Sequence, residues 1–182
     1  MTNDQAEVIV GVSGGIAAYK TAALVSSLVQ SGLGVSVVMT EAACEFVGPA
    51  TFAALTGRSV VEGVFDTADH PLGPHIELAR AAQLLCVAPA SANVLGRAAN
   101  GLADDLLTTL MLAFTGPILL APAMNNEMWE KPSVQRNLQT LRDDGFHIVD
   151  PEAGWLSCRT QGMGRMASPE TIAARIHELL AK

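Results

Sequence analysis

Aromatic side chains are scarce in this 182-residue chain, at 4%, so Ala, Val and Leu must fill its core, as suits helices packed closely on a sheet. Positive charge is scarce too: eleven Lys and Arg stand against eighteen Asp and Glu, the net charge is -7, and the cations form no cluster. Electrostatic binding to nucleic acid or to an anionic membrane therefore has no footprint. The only three cysteines, Cys44, Cys86 and Cys158, are widely spaced. That excludes a disulfide framework and a cysteine metal site, and it places the chain in the cytoplasm with its thiols reduced. Residues 1–5 carry no basic stretch and do not start a signal peptide. No apolar run has the length of a membrane span; the longest, 106–123, is interrupted by Gly116 and Pro117. Internal repeats, low-complexity tracts, metal-ligand clusters and a Ser/His/Asp set are all missing.

Hydrophobic residues, by contrast, make up 49% of the chain. The length suits one domain with a sizeable core, and so apolar a composition points to surface covered by partner subunits. The pattern alternates. Strands are expected at 8–12, 35–39, 84–88, 118–121 and 147–149, with a short one at 60–65. Helices are expected at 16–30, 41–55 (split at Gly48-Pro49), 76–82, 93–99, 104–113, 133–144 and 169–181, the last capped by Ser168. A polar loop over 66–74 presents His75, and 150–167 reads as a long Gly-rich loop. Strands alternating with helices predict an α/β fold whose parallel sheet is covered on both faces.

The most informative stretch is 122–129, Pro-Ala-Met-Asn-Asn-Glu-Met-Trp, which follows the apolar strand 117–121. In open α/β sheets ligands sit at the carboxyl ends of strands. An amide at Asn125, set among two Met and a Trp, offers donors and an acceptor between soft apolar walls, suited to a carboxylate held against a flat ring. A turn that buries Met and Trp as core is the competing reading. The Gly/Ser loop 11–20 joins the first strand to the first helix and could hold one phosphate on its backbone N–H groups; it fits neither the dinucleotide fingerprint nor the P-loop. A tight turn without a ligand is the alternative. Ser91 and Asn93 follow the strand ending at Ala88, either as plain helix caps or as donors. Three strands ending in Ser, Thr or Asn would serve a mononucleotide laid across the sheet edge. His75 opens a helix, as a cap or as a proton acceptor. Cys158 lies beside Arg159 in a polar loop, as an accessible proton donor or an incidental thiol, whereas Cys86 reads as core. Asp104 and Asp105 read as helix-start residues.

In this order, the loop 11–20, His75-Ile76, the run 89–93, the run 122–129 and the Gly/Cys segment through Gly164-Arg165-Met166 resemble the flavin-dependent cysteine decarboxylase family, over almost the whole chain. The resemblance implies a flavodoxin-like (Rossmann-like) three-layer sandwich with a parallel sheet. It implies a single FMN-binding decarboxylase domain over 1–182, with a flexible substrate flap at about 151–167. FMN would bind noncovalently at a subunit interface in a homotrimer or dodecamer. Ser13, Gly14, Gly15, Ile16, Thr40, Glu41, Ala42, Ser91, Ala92, Asn93, Val94 and Ala123 would border it. Asn125 would hold the substrate's cysteine carboxylate, with Ser157 and Met166 nearby. His75 would act as acid or base in oxidising the Cα–Cβ–S unit, and Cys158 would supply the proton that completes the reaction.

The implied reaction converts a small molecule, 4′-phosphopantothenoylcysteine, to 4′-phosphopantetheine in coenzyme A biosynthesis. It passes through a thioaldehyde, CO₂ loss and re-reduction of the enethiol. The detour has a reason: a cysteine carboxylate has no electron sink, and oxidation creates a C=S that accepts the electrons CO₂ leaves behind. Relatives that decarboxylate a peptide C-terminal cysteine stop at the enethiol and lack the thiol found here at Cys158. Regulatory flavoprotein subunits, a non-catalytic alternative, carry acidic extensions. Val94 and Arg159 stand where the family usually has Thr and Gly. Many bacterial members are fused to a synthetase that makes the substrate, so a separate synthetase is an implied partner.

Overall fold

Five short apolar runs set the architecture. In the computed structural model, which describes residues 6–66 and 69–182, β1 (Glu7–Val12), β2 (Gly34–Met39), β3 (Leu84–Ala90), β4 (Ile118–Pro122) and β5 (His147–Ile148) form one parallel sheet. Residues 67 and 68, inside the expected 66–74 loop, and residues 1–5 lie outside the described residues. The strand order is β2-β1-β3-β4-β5, with register pairs such as Val8↔Val35, Ile9↔Leu85 and Cys86↔Leu119. All of β3 is buried, as expected of strands covered on both faces.

Helices fill the crossovers: α1 (Ala18–Gln30), α2 (Glu41–Cys44), α3 (Pro49–Thr56), α4 (Pro74–Ala81), α5 (Ala92–Ala99), α6 (Leu106–Ala113), α7 (Asn126–Trp129), α8 (Pro132–Asp143) and, after a hairpin, α9 (Pro169–Leu180). One face of the sheet packs on α1, α3 and α9 through Leu24, Leu28, Phe52, Ile172 and Ile176. The other packs on α4, α5, α6 and α8 through Leu78, Leu95, Leu110 and Leu138. This is the expected three-layer, flavodoxin-like arrangement. Because β2 lies on one side of β1 and β3 to β5 on the other, the connections diverge between β1 and β3, which opens a crevice at their carboxyl ends.

Local chemistry explains most boundaries. Gly48-Pro49 splits the 41–55 region, with Pro49 at the first position of α3. Ser168 caps α9 by accepting the Thr171 N–H at 3.1 Å. Asp105 closes a capping box with Thr108 and, with Asp104, pairs with Arg97. Two expectations change. The 60–65 strand reduces to one bridge between Val38 and Val61, because the chain turns at once, Asp66 donating to the Gly63 carbonyl. The 150–167 segment is a two-stranded antiparallel hairpin, β6 (Glu152–Trp155) and β7 (Gln161–Arg165), not a structureless loop. Among the described residues no helix is long and apolar enough to cross a membrane.

Candidate active site

The β1–α1 loop is fixed from beneath. Ser13 is fully buried; its Oγ donates to the Pro89 carbonyl at 2.7 Å and accepts the Ser91 N–H at 3.0 Å. The hydroxyl expected as a ligand donor is thus engaged within the protein, tying the first loop to the one after β3. Gly14 is required by contact: a Cβ there would lie 2.6 Å from the Ala42 Cβ. Gly15 meets nothing within 4 Å, so it bares backbone toward open space at the start of α1. Thr40 caps α2 through the Ala43 N–H, and Ser91 caps α5 through the Val94 N–H. Val94, on the inner face of α5, is buried in the core, while Asn93 is exposed.

Asn125 is the N-cap of α7. Its Oδ1 accepts the Met128 N–H at 2.8 Å. That bond settles which end of the amide is spent: the oxygen is occupied, and the NH₂ group is left to donate. Where the sequence predicts a loop, the chain forms the short helix α7, and its cap orients the amide.

The β6–β7 hairpin lies against this loop. Met124 donates its N–H to the Gly164 carbonyl at 2.9 Å, and a Cβ on Gly162 would meet the Asn126 Cβ at 2.9 Å. At the tip, Leu156 accepts from Arg159 N–H and donates to the Thr160 carbonyl, which leaves Arg159 at φ 64°. That is the left-handed region, which glycine adopts without the steric cost a side chain brings. Cys158 is exposed at the tip; its Sγ lies 3.0 Å from Thr160 Oγ1, which donates to Asn126 Oδ1 at 3.3 Å.

Between loop and hairpin is a cavity of about 590 Å³. It brings together Gly14, Gly15, Ile16, Ser91, Ala123, Asn125, Ser157 and Met166 from the expected set. Ser13, Thr40, Glu41, Ala42, Ala92, Asn93, Val94, Cys158 and His75 do not line it. His75 opens α4, and its Nδ1 is buried without a hydrogen-bond partner among the described residues. Within one chain, then, His75 and Asn125 are not gathered into a single cavity. Sequence reasoning missed Lys20 and Arg165 as lining residues, since 145 positions separate them and neither belongs to a charge cluster.

The cavity suits FMN on three counts. Its apolar walls, Ile16, Ala123, Met124, Met128 and Trp155, match a flat ring. Gly15 offers unobstructed backbone at a helix start, and the position is the β1/β3 crevice.

The comparisons agree with this geometry. The chain is 49% identical over 165 residues to the coenzyme A biosynthesis bifunctional protein CoaBC of Bacillus subtilis (strain 168), covering 91% of this chain and 41% of that protein. It is 47% identical over 176 residues to the protein of the same description from Mycobacterium tuberculosis (strain ATCC 25618 / H37Rv), covering 97% and 42%. The chain thus spans about two fifths of these curated relatives. Among solved structures it is similar to a cysteine-to-serine mutant of PPC decarboxylase complexed with pantothenoylaminoethenethiol. That match has a TM-score of 0.87 and 31% identity, covering 98% of this chain and 100% of the other. It is also similar to the FMN-dependent cysteine decarboxylase SpaF (TM-score 0.82, 32% identity, 98% and 99% covered). The flavoprotein family model matches residues 1–181, and the chain belongs to the flavoprotein family.

Proposed function

We propose that this chain catalyses the FMN-dependent decarboxylation of 4′-phosphopantothenoylcysteine to 4′-phosphopantetheine, a step of coenzyme A biosynthesis, in the cytoplasm where its thiols stay free. The observation that carries the reading is the Asn125 amide, oxygen fixed by the Met128 N–H and NH₂ free beneath a hairpin that bears a cysteine. A free NH₂ group pairs with a carboxylate without adding a charge that would stabilise it against leaving.

FMN, when bound by the β1–α1 loop, Ser91 and Ala123, supplies reversible two-electron oxidation of the substrate's Cα–Cβ–S unit. Asn125 holds the carboxylate in place. His75 takes the proton released as the side chain is oxidised. The β6–β7 hairpin, acting as the flap, covers the substrate and excludes water. Cys158 returns a proton to Cα of the enethiol, and this step separates the proposed activity from enzymes that release the enethiol. The thiol at the hairpin tip favours this reading over the peptide-cysteine and regulatory alternatives.

The site is completed between copies in a homotrimer or larger shell. Two observations support this. His75 lies outside the cavity of its own chain. Large apolar side chains also stand exposed: Phe65 and Leu72 in the chain segment that leads to His75, and Ile16, Tyr19, Met128 and Trp155 around the cavity. The test is complementation. Co-expressed His75→Asn and Asn125→Asp chains should recover about a quarter of the wild-type sites by random pairing. No recovery would place His75 and Asn125 in the same chain's site. A synthetase supplying the substrate is the expected partner, as part of the same polypeptide or apart from it.

A further inference from the structure

Lys20 on α1 and Arg165 at the end of β7 line the same cavity, whose lining holds no Asp or Glu. Outside the cavity Arg58, Arg97, Arg142 and Arg175 are each paired with a carboxylate, while Arg80, Arg136 and Arg159 have no ion pair among the described residues. The Arg165 side chain has no ion pair or hydrogen bond among the described residues. Lys20 donates one long bond, 3.3 Å, to the Met166 carbonyl. Glu152 lies near Lys20, but its Oε1 accepts the Ser168 N–H at 3.2 Å. The two cations sense each other: burial first, and then the Arg165 charge, lower the Lys20 pKa, with Glu152 opposing. In a chain of net charge -7, two neighbouring cations without an ion pair are unfavourable until an anion joins them. Gly154 reinforces the arrangement. A Cβ there would fall 3.2 Å from both Cδ and Nη1 of Arg165, so the guanidinium rests over bare backbone with its orientation restricted.

We infer that Lys20 and Arg165 form a subsite for a phosphate monoester, and that the group it receives is the phosphate of the substrate. A dianion matches two cations and accepts a guanidinium fork in two parallel bonds, whereas the carboxylate is met by the neutral Asn125 amide. Arg165 belongs to the same hairpin as Ser157 and Cys158, so closing the flap would bring the charge to the substrate. The inference rests on the function proposed above and adds which residues recognise the phosphorylated end. The phosphate of FMN is the other source of this chemistry, and the experiment separates the two.

Wild-type holoenzyme, Lys20→Met and Arg165→Gln are compared for CO₂ release from 4′-phosphopantothenoylcysteine and from its dephosphorylated counterpart, with flavin content measured alongside. The preference for the phosphorylated substrate, as a ratio of kcat/KM values, should fall about tenfold or more in each variant, through KM, with FMN per chain retained. An unchanged ratio overturns the subsite, and loss of FMN in the variants assigns the cations to the cofactor instead. Inorganic phosphate titrated into the same proteins, followed by ³¹P line broadening, gives a readout independent of turnover. It should bind about tenfold more weakly to each variant. Undiminished phosphate binding overturns the subsite even if the wild-type enzyme releases no CO₂, and that silence would itself refute only the proposed reaction.

Discussion

Gly164 and Met124 pin the end of the hairpin to the β4–α7 loop: the Met124 N–H reaches the Gly164 carbonyl at 2.9 Å, and a Cβ on Gly164 would fall 2.2 Å from the Met124 oxygen. Gly164 also sits at φ 125°, a conformation closed to other residues. The contact sets the hairpin against the cavity that Asn125 lines, and so links a backbone requirement to the proposed substrate site.

Gly164→Ala should therefore lift the hairpin off the loop. We expect a stability loss above about 1 kcal/mol, together with a raised KM and faster proteolytic cleavage within the hairpin. A variant that melts and cleaves like the wild type would show that the hairpin is not anchored at this point.

Asn125→Asp separates folding from binding. The Asp side chain still caps α7 by accepting the Met128 N–H, so the unfolding free energy should stay within about 0.5 kcal/mol of wild type. The new oxygen meets the substrate carboxylate as a like charge and should abolish saturable binding, with FMN retained. Wild-type substrate affinity in Asn125→Asp would remove Asn125 from the site.

Arg159→Gly acts in the opposite direction to Gly164→Ala. Relieving the left-handed backbone at φ 64° should stabilise the hairpin by roughly 0.5–1 kcal/mol, measured by thermal unfolding. Destabilisation would mean that the Arg159 side chain makes a contact worth more than the strain.

These residues also mark how far the sequence could be read. The parallel α/β sheet was legible because strands buried on both faces are near-continuous apolar runs, and the caps at Ser168 and Asp105 carry local signatures. The motif loops could be placed at the carboxyl edge for the same reason. The hairpin escaped because Gly154, Gly162 and Gly164 erase the alternation that marks a strand, and their purpose is contact with residues far away in the chain. Ser13 could be singled out but not its orientation: a hydroxyl beside a Gly loop looks like a ligand donor until Pro89 and Ser91 are seen to enclose it. Lys20 and Arg165 were invisible as a pair for the same reason of distance.

The thiols give a pH-dependent prediction. Burial pushes the Cys86 thiol up to about 12 from an ordinary value of 9.0. A raised pKa in the folded state gives a contribution to stability that is complete below pH 9 and is lost as pH rises from there through about 12. Cys86→Ala should accordingly show a shallower fall in urea stability between about pH 9 and pH 11 than the wild type. Parallel curves would mean that Cys86 does not stay protonated in the fold.

The measurement closest to the central claim is the mass of the product formed by wild-type, FMN-loaded protein from 4′-phosphopantothenoylcysteine, with Cys158→Ser run beside it. The wild type should remove about 44 Da, CO₂ alone, and Cys158→Ser about 46 Da, leaving the enethiol. An unchanged substrate mass, or the same 44 Da loss (about one CO₂) from Cys158→Ser, would contradict the account.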